Sequence, residues 1–252
     1  MHSKRARLDR FLSSHLGIKR GAVRAVIARG RVCVDGRVAT RSDQLVDQFT
    51  RVALDGQVLQ ARKALYLMLN KPAGVVSATV DARHTTVVDL LDHPGRDDLH
   101  IVGRLDFNSS GLVLLTNDGR WSRQLTAPEH RVPKRYRVTV EQPVTEEQVR
   151  AFAEGMYFAY ENLWIRPAQL IILSEHVAEV ILTEGRYHQI KRMFGRFRNR
   201  VVDLHRIAIG NLILDPALAM GQSRELTGNE IEGIARTEQP GAVDVSIKDS
   251  DK

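Results

Sequence analysis

The sequence predicts an α+β protein built from a small basic α/β unit at the N-terminus and a larger unit on a mainly antiparallel sheet. Three observations carry this reading. Segments of helical period and segments of strand period occur in mixed order along the chain. Two Asp-Gly pairs, Asp35-Gly36 and Asp55-Gly56, each sit between short apolar runs, a strong signal for a two-residue hairpin. The charge is also divided unevenly. Residues 1–63 carry 14 Lys+Arg against 5 Asp+Glu, a balance of +9, whereas the remaining 23 and 25 give −2 for residues 64–252.

These numbers bound the function classes. The net charge of +7 points to a polyanionic partner, and its concentration in the first quarter points to a separate nucleic-acid-binding module. Apolar residues make up 43% of the chain, enough for a real core, so wholesale disorder is excluded. One cysteine, Cys33, excludes an internal disulfide framework and a cysteine-rich zinc site. Cys33 lies in a strand-like run and is expected to be a small buried hydrophobe. The nine histidines are scattered without a His-x-x-x-His pair, so no metal centre is expected. No apolar stretch approaches the ~20 residues that span a bilayer. The basic N-terminus is not followed by an apolar signal segment. A cytoplasmic protein with no membrane partner is expected.

In the first unit, Leu8, Phe11, Leu12 and Leu16 recur at helical spacing from about Ala6, and Gly17 ends that helix. A second helix is expected over residues 20–29, with Val23, Val26 and Ile27 inward and Gly30 as the stop. The two hairpins follow. Lys19, Arg20, Arg24, Arg29 and Arg31 cluster on or just after the second helix with no acidic residue among them. Ordinary surfaces intersperse both signs; a one-signed face suits phosphate contacts, which supply affinity without sequence information. Residues 61–64 read as a linker, dividing the chain into 1–62, 63–236 and a polar tail, 237–252, expected to be disordered.

In the second unit, residues 65–69 read as a strand and residues 70–74 as a turn. Residues 86–91 are expected to form a short helix. The run Gly103-Arg104-Leu105-Asp106 reads as a charged loop, from which Gly111 releases the backbone into the apolar strand 112–115. Asp118 is placed to cap a helix over residues 120–126. Alternation over residues 134–140 puts Tyr136, Val138 and Val140 on one face and Arg135, Arg137 and Thr139 on the other, so Tyr136 points inward. Thr145 and Gln148 form a capping box for a helix to about Glu154. Residues 168–173 and 177–183 read as paired strands. A helix is expected to open at Glu184, with Ile190, Met193, Phe194 and Phe197 as its apolar face. Residues 201–205 and 207–214 return to strand. Residues 186–206 carry seven Lys+Arg against one acidic residue, a second basic patch.

Three of these stretches carry a resemblance. Gly103-Arg104-Leu105-Asp106, four residues, Gly111-Leu112 and then Leu115-Thr116-Asn117-Asp118-Gly119 resemble the catalytic signature of the RsuA/RluB-type ribosomal RNA pseudouridine synthases. Leu69-Asn70-Lys71-Pro72-Ala73-Gly74 with Val75-Val76-Ser77-Ala78-Thr79 resembles the family's first motif, and residues 184–193 resemble its third. The first unit resembles the S4 RNA-binding domain in its Arg7-Leu8-Asp9-Arg10-Phe11-Leu12 opening and its Gly30-Arg31-Val32-Cys33-Val34-Asp35-Gly36 hairpin. The resemblance spans residues 5–234. It implies an S4-like domain joined to a pseudouridine synthase catalytic domain, with Asp106 as the catalytic carboxylate, Tyr136 as the active-site tyrosine and Lys191 at the basic position. Arg104 and Arg186 are implied as substrate-binding residues. The first motif, His84-Thr85-Thr86-Val87 and the compact spacing up to Gly103 resemble the small-subunit branch most.

The implied reaction breaks the bond from N1 to C1′ of uridine and joins C5 to C1′. No atom is gained and no redox change occurs, so no cofactor is expected. A carboxylate beside the sugar stabilises positive charge at C1′ or attacks it, as glycosidase nucleophiles do, or removes a sugar proton to give a glycal. Lys191 would hold it by ion pairing. Tyr136 would pack on the base and assist removal of the C5 proton. Water must be kept out, or hydrolysis replaces isomerisation, and the uridine must leave its stack to enter; Arg104 is placed to fill the vacated space or bind the phosphate. The expected partner is ribosomal RNA or an assembling ribosomal subunit, met by a monomer. The alternatives are the same reaction on large-subunit RNA, a non-catalytic assembly factor that would not need all of Asp106, Tyr136 and Lys191, and a DNA-binding regulator, for which no dimeric recognition-helix pattern is present.

Overall fold

The computed structural model describes residues 5–234. The expected disordered tail lies outside them. The fold class is α+β, with six α-helices among the described residues and strands that pair mostly antiparallel.

The first unit opens with Ala6–Arg7 as a short strand paired to Leu45–Val46, so the first helix, α1 (Leu8–Leu16), starts two residues later than its periodicity suggests. Gly17, at φ +69°, ends it. Helix α2 (Arg20–Ala28) packs on α1, burying Val23 and Ile27 against Leu8 and Leu12. Both hairpins form as expected. Asp35-Gly36 and Asp55-Gly56 have positive φ at both central residues, the turn geometry that matches the twist of the flanking strands. They join Val32–Val34, Arg37–Val38, Val52–Leu54 and Gln57–Gln60 into one four-stranded sheet. In Val32–Val34 the two valines take the core face, so Cys33 points to the other face and is only half-buried.

The second unit is organised by a sheet whose main path runs through seven strands: Gln169–Ser174, Val177–Leu182, Lys134–Val140, Val201–Ile209, Ser110–Thr116, Tyr66–Lys71 and Ser223–Glu225. Only the Val201–Ile209 and Ser110–Thr116 pair on this path is parallel. Ser110–Thr116 is buried at every position, as a central strand covered on both faces must be. One face carries α4 (Glu146–Glu154) and α5 (Gln189–Gly195), around Tyr136, Val138, Phe152, Met193 and Phe194. The other face is covered near Ser110–Thr116 by α3 (Gly119–Thr126) and α6 (Gly228–Gly233), around Met68, Leu112, Leu114 and Trp121.

The caps follow the sequence signals. Asp118 accepts hydrogen bonds from the backbone N–H groups of Arg120 and Trp121, and both halves of the Thr145–Gln148 capping box are made. In the second unit four further expectations change. Residues 86–91 form no helix: Thr86 bridges to Val76, and the Asp89 carboxylate takes the backbone N–H and hydroxyl of Thr86. A β-branched run with a local side-chain acceptor prefers that turn to a helix. The strand expected to end at Leu69 continues to Lys71. The helix expected from Glu184 begins at Gln189, after a loop in which His188 has φ +50°. Residues 201–209 form one strand rather than two, because Arg206, which interrupts the apolar pattern, is buried with its guanidinium bonded to carbonyls.

Candidate active site

Asp106 sits on the loop between the strands His100–Val102 and Ser110–Thr116. Two buried cations hold this loop by its backbone. The Lys71 ammonium, fully buried, donates to the carbonyls of Pro72 at 3.0 Å, Asp106 at 3.2 Å, Phe107 at 3.3 Å and Ser109 at 2.6 Å. On the other side the Arg206 guanidinium donates to the carbonyls of Leu112 at 2.7 Å, Gly103 at 2.7 Å and Arg104 at 3.4 Å. Buried charge is tolerable only when its donors are satisfied, and here the loop carbonyls satisfy them. Ser77 adds a third anchor: its hydroxyl donates to the Leu105 carbonyl at 2.7 Å and accepts from the Leu105 N–H at 3.1 Å.

Gly111 is required by this arrangement. Its φ is +101°, and a Cβ there would lie 2.3 Å from the Arg206 carbonyl oxygen and 2.7 Å from the Arg206 nitrogen. The strand bearing Arg206 runs so close to the end of the loop that only hydrogen fits.

With its backbone fixed, Asp106 turns its carboxylate toward α5. Oδ2 lies 3.6 Å from Lys191 Nζ and 3.4 Å from His188 Nε2. Arg104, Tyr136, Arg186 and His188 border one cavity with Asp106, and Leu105, Leu182, Ile190 and Leu204 give it an apolar wall. Tyr136 is buried, as its strand alternation requires. The loop before α5 is held by Gln189, whose side chain accepts from the Arg186 N–H at 3.0 Å and donates to Glu184 at 2.9 Å. Arg186 is exposed, its Nε 3.6 Å from Glu184.

Asp106 with Arg104, Tyr136, and Lys191 with Arg186, from three separate stretches of the chain, are thus brought to one place. Lys71, Arg206 and His188 belong to the same assembly and were not singled out by sequence reasoning. His188 lay within the third motif and Lys71 within the first, so position was a signal for both. Arg206 had none beyond being a charge in an apolar strand. Among the described residues no group of three or more potential metal ligands converges.

Lys19, Arg20, Arg24, Arg29 and Arg31 are all exposed along and after α2. Two of them meet acids from elsewhere in the chain. Arg31 pairs with Asp55, and Arg24 lies 3.9 Å from Asp9, which Arg7 also holds. The local sequence lacks acids, but folding brings two alongside.

The description RNA pseudouridylate synthase fits residues 65–195, and an S4 domain fits residues 6–52. Over 226 residues the chain is 50% identical to the ribosomal small subunit pseudouridine synthase A of Pseudomonas aeruginosa, covering 89% of this chain and 98% of that protein. The chain belongs to the RNA pseudouridylate synthase family. This synthase is also 42% identical over 229 residues to the protein of the same name from Escherichia coli, covering 90% of its own length and 99% of that relative. A crystal structure of a pseudouridylate synthase, 38% identical, superposes with a TM-score of 0.66 over 90% of this chain and 99% of the other. The synthase is an isomerase that converts uridine to pseudouridine in RNA. The non-catalytic assembly-factor reading is not favoured. No helix among the described residues is long and apolar enough to cross a membrane.

Proposed function

We propose that this synthase isomerises a uridine of small-subunit ribosomal RNA, with Asp106 acting at the ribose C1′ of a flipped-out nucleotide. The observation that carries the proposal is the Asp106 carboxylate beside Lys191 and His188, in a cavity that it shares with Tyr136. Small-subunit RNA as the substrate class is supported by the names of relatives that are 50% and 42% identical over about nine-tenths of the chain.

In this reading the N1–C1′ bond breaks and the Asp106 carboxylate attends C1′ or its neighbouring proton. The detached uracil turns within the cavity, C5 joins C1′, the C5 proton leaves, and N1 takes one up. Tyr136 packs against the base and assists loss of the C5 proton. Lys191 and His188 hold the carboxylate, while Arg104 and Arg186 at the rim bind the substrate strand. Leu105, Leu182, Ile190 and Leu204 keep water from capturing C1′. Residues 63–236 make up the catalytic domain. Residues 1–62 form the RNA-binding unit, which uses Lys19, Arg20, Arg24, Arg29 and Arg31 for phosphate contacts. The protein works as a monomer in the cytoplasm, on ribosomal RNA or an assembling subunit.

The test is a map of pseudouridine in unmodified ribosomal RNA after incubation with the protein, with Asp106→Asn as control. One new site in small-subunit RNA, absent with the variant, is the expected result, with turnover reduced more than about a thousandfold and RNA binding retained. A site in large-subunit RNA overturns the substrate assignment. Wild-type turnover by the variant overturns the role of Asp106.

A further inference from the structure

The surface beside α5 carries aromatic side chains for which the chemistry at Asp106 has no use. Tyr157 and Trp164 stand opposite each other on a hairpin of Met156–Phe158 and Leu163–Ile165, their ring centroids 5.5 Å apart. Trp164 is 68% exposed. Tyr187 is 76% exposed and stacks on His188 at 3.9 Å, one residue from the cavity wall. A pair of surface rings packed on each other is unremarkable by itself. This pair is tied to the mouth of the active site.

Arg192 of α5 makes the tie. Its guanidinium lies 4.2 Å over the Phe158 ring and 2.5 Å from Glu161, both in the hairpin segment. It also donates to the carbonyl of Tyr187 at 3.5 Å. Arg196 donates to the carbonyl of Tyr157 at 3.1 Å, and the Arg166 N–H donates to Glu184 at 2.9 Å. The hairpin and the cavity rim therefore form one connected surface. Residues 156–166 and 184–200 together hold seven Lys+Arg against two Asp+Glu, and Arg166, Arg186, Arg196 and Arg198 are exposed.

We propose that Trp164, Tyr157 and Tyr187 form a stacking platform for the unpaired nucleotides flanking the target uridine, with Arg166 and Arg196 on their phosphates. This rests on the RNA reaction proposed above. Exposed rings bordered by arginines are what single-stranded RNA uses, since every base has a face to stack and every linkage a charge to neutralise. Protein interfaces also enrich Trp, Tyr and Arg; what favours RNA here is the excess of seven Lys+Arg over two Asp+Glu on a surface continuous with the cavity of an RNA-modifying site. A flipped uridine also deprives its neighbours of a stacking partner, and rings at the cavity mouth replace it.

The chain has two tryptophans, and Trp121 is buried edge-on against Tyr66, so an emission change on RNA binding reports Trp164. Titration of the unmutated protein with a short oligouridylate is expected to quench that emission in a saturable way. Trp164→Ala is expected to raise KM for small-subunit RNA roughly tenfold, in line with base–aromatic stacking, with the larger part of the loss in KM rather than kcat. Trp164→Phe should recover most of it. Emission that saturating RNA leaves unchanged overturns the platform, as does an unchanged KM in both Trp164→Ala and Tyr157→Ala. Binding of a ribosomal protein at this hairpin, with RNA affinity unaltered by Trp164→Ala, overturns it in favour of a protein interface. If the wild-type protein forms no pseudouridine in any ribosomal RNA yet oligouridylate still quenches Trp164, the platform stands and the reaction assignment falls.

Discussion

Lys71 holds Asp106 by its main chain and leaves the carboxylate to other partners. The ammonium reaches the Asp106 carbonyl at 3.2 Å, while the carboxylate faces Lys191 on α5 and His188 just before it. Position and polarity of the carboxylate are thus set by different residues on different elements, and they can be disturbed separately.

Lys71→Met removes a donor shared by four carbonyls in a buried site. The loss is expected to cost about 1.5–3 kcal/mol of stability, the range for hydrogen bonds to a charged group, and to lower kcat because the loop can relax. Urea denaturation and single-turnover rates check both. Full stability and full turnover in this variant would mean that the loop needs no ammonium.

The same residue predicts opposite pH effects on stability and on rate. Burial pushes the Lys71 ammonium down to about 8, and burial does the same to Lys134, beside Arg206. A base whose pKa is lower in the folded state binds its proton less tightly there, so between about 8 and 10.5 the unfolded chain carries the extra proton. These two groups therefore add stability as pH rises through that window. The rate is expected to fall earlier, as pH rises through about 8 where the folded-state ammonium loses its proton, because a neutral amine has two N–H donors where the ammonium has three. Denaturation midpoints and single-turnover rates measured across the window test this, and the Lys71→Met variant should lack its part of the stability rise. A rate that stays level as pH is raised from well below to well above about 8 would remove the proton on Lys71 from the account.

Gly111→Ala is expected to destabilise by about 3 kcal/mol, from a positive φ and a Cβ driven into the Arg206 backbone. Displacement of Arg206 also frees the carbonyls of Gly103 and Arg104, so kcat should fall further than the stability loss explains at temperatures where the variant is folded. Thermal melting and kcat on folded protein separate the two effects. An alanine tolerated at wild-type stability would contradict the close approach.

Removal of residues 1–62 is expected to weaken RNA binding and to flatten its salt dependence, since each lost phosphate contact lowers the slope of log K against log salt by about 0.7–0.9. Within the intact chain, Arg20→Ala and Arg29→Ala should each lower that slope more than Arg31→Ala, whose charge is already engaged by Asp55. Equal slopes for all three would show that the Arg31–Asp55 pair does not matter to binding.

Much of the architecture was legible because it is written in local periodicity and turn chemistry. The Asp-Gly hairpins, the Asp118 cap, the Thr145–Gln148 box and the inward face of Tyr136 all depend on residues a few positions apart. Where a partner lay beyond the local pattern, that reading failed. Thr86, bridged to Val76 and bonded to Asp89, makes a turn in place of a helix, and Arg206 sits inside one continuous strand where two were expected.

The sequence by itself determined the α+β class, the basic first unit, and Asp106, Tyr136 and Lys191 as candidate residues through motifs whose spacing survives in one dimension. Only the tertiary structure decided that Asp106 and Tyr136 line one cavity with Lys191 beside the carboxylate, that Lys71 and Arg206 clamp the loop from both sides, and that Arg31 and Arg24 are shared with acids. The physical reason is that burial of a charge is set by which carbonyls and carboxylates the fold brings within about 3 Å, the range of a hydrogen bond. For Lys71 and Arg206 those acceptors lie up to 38 and 103 positions away.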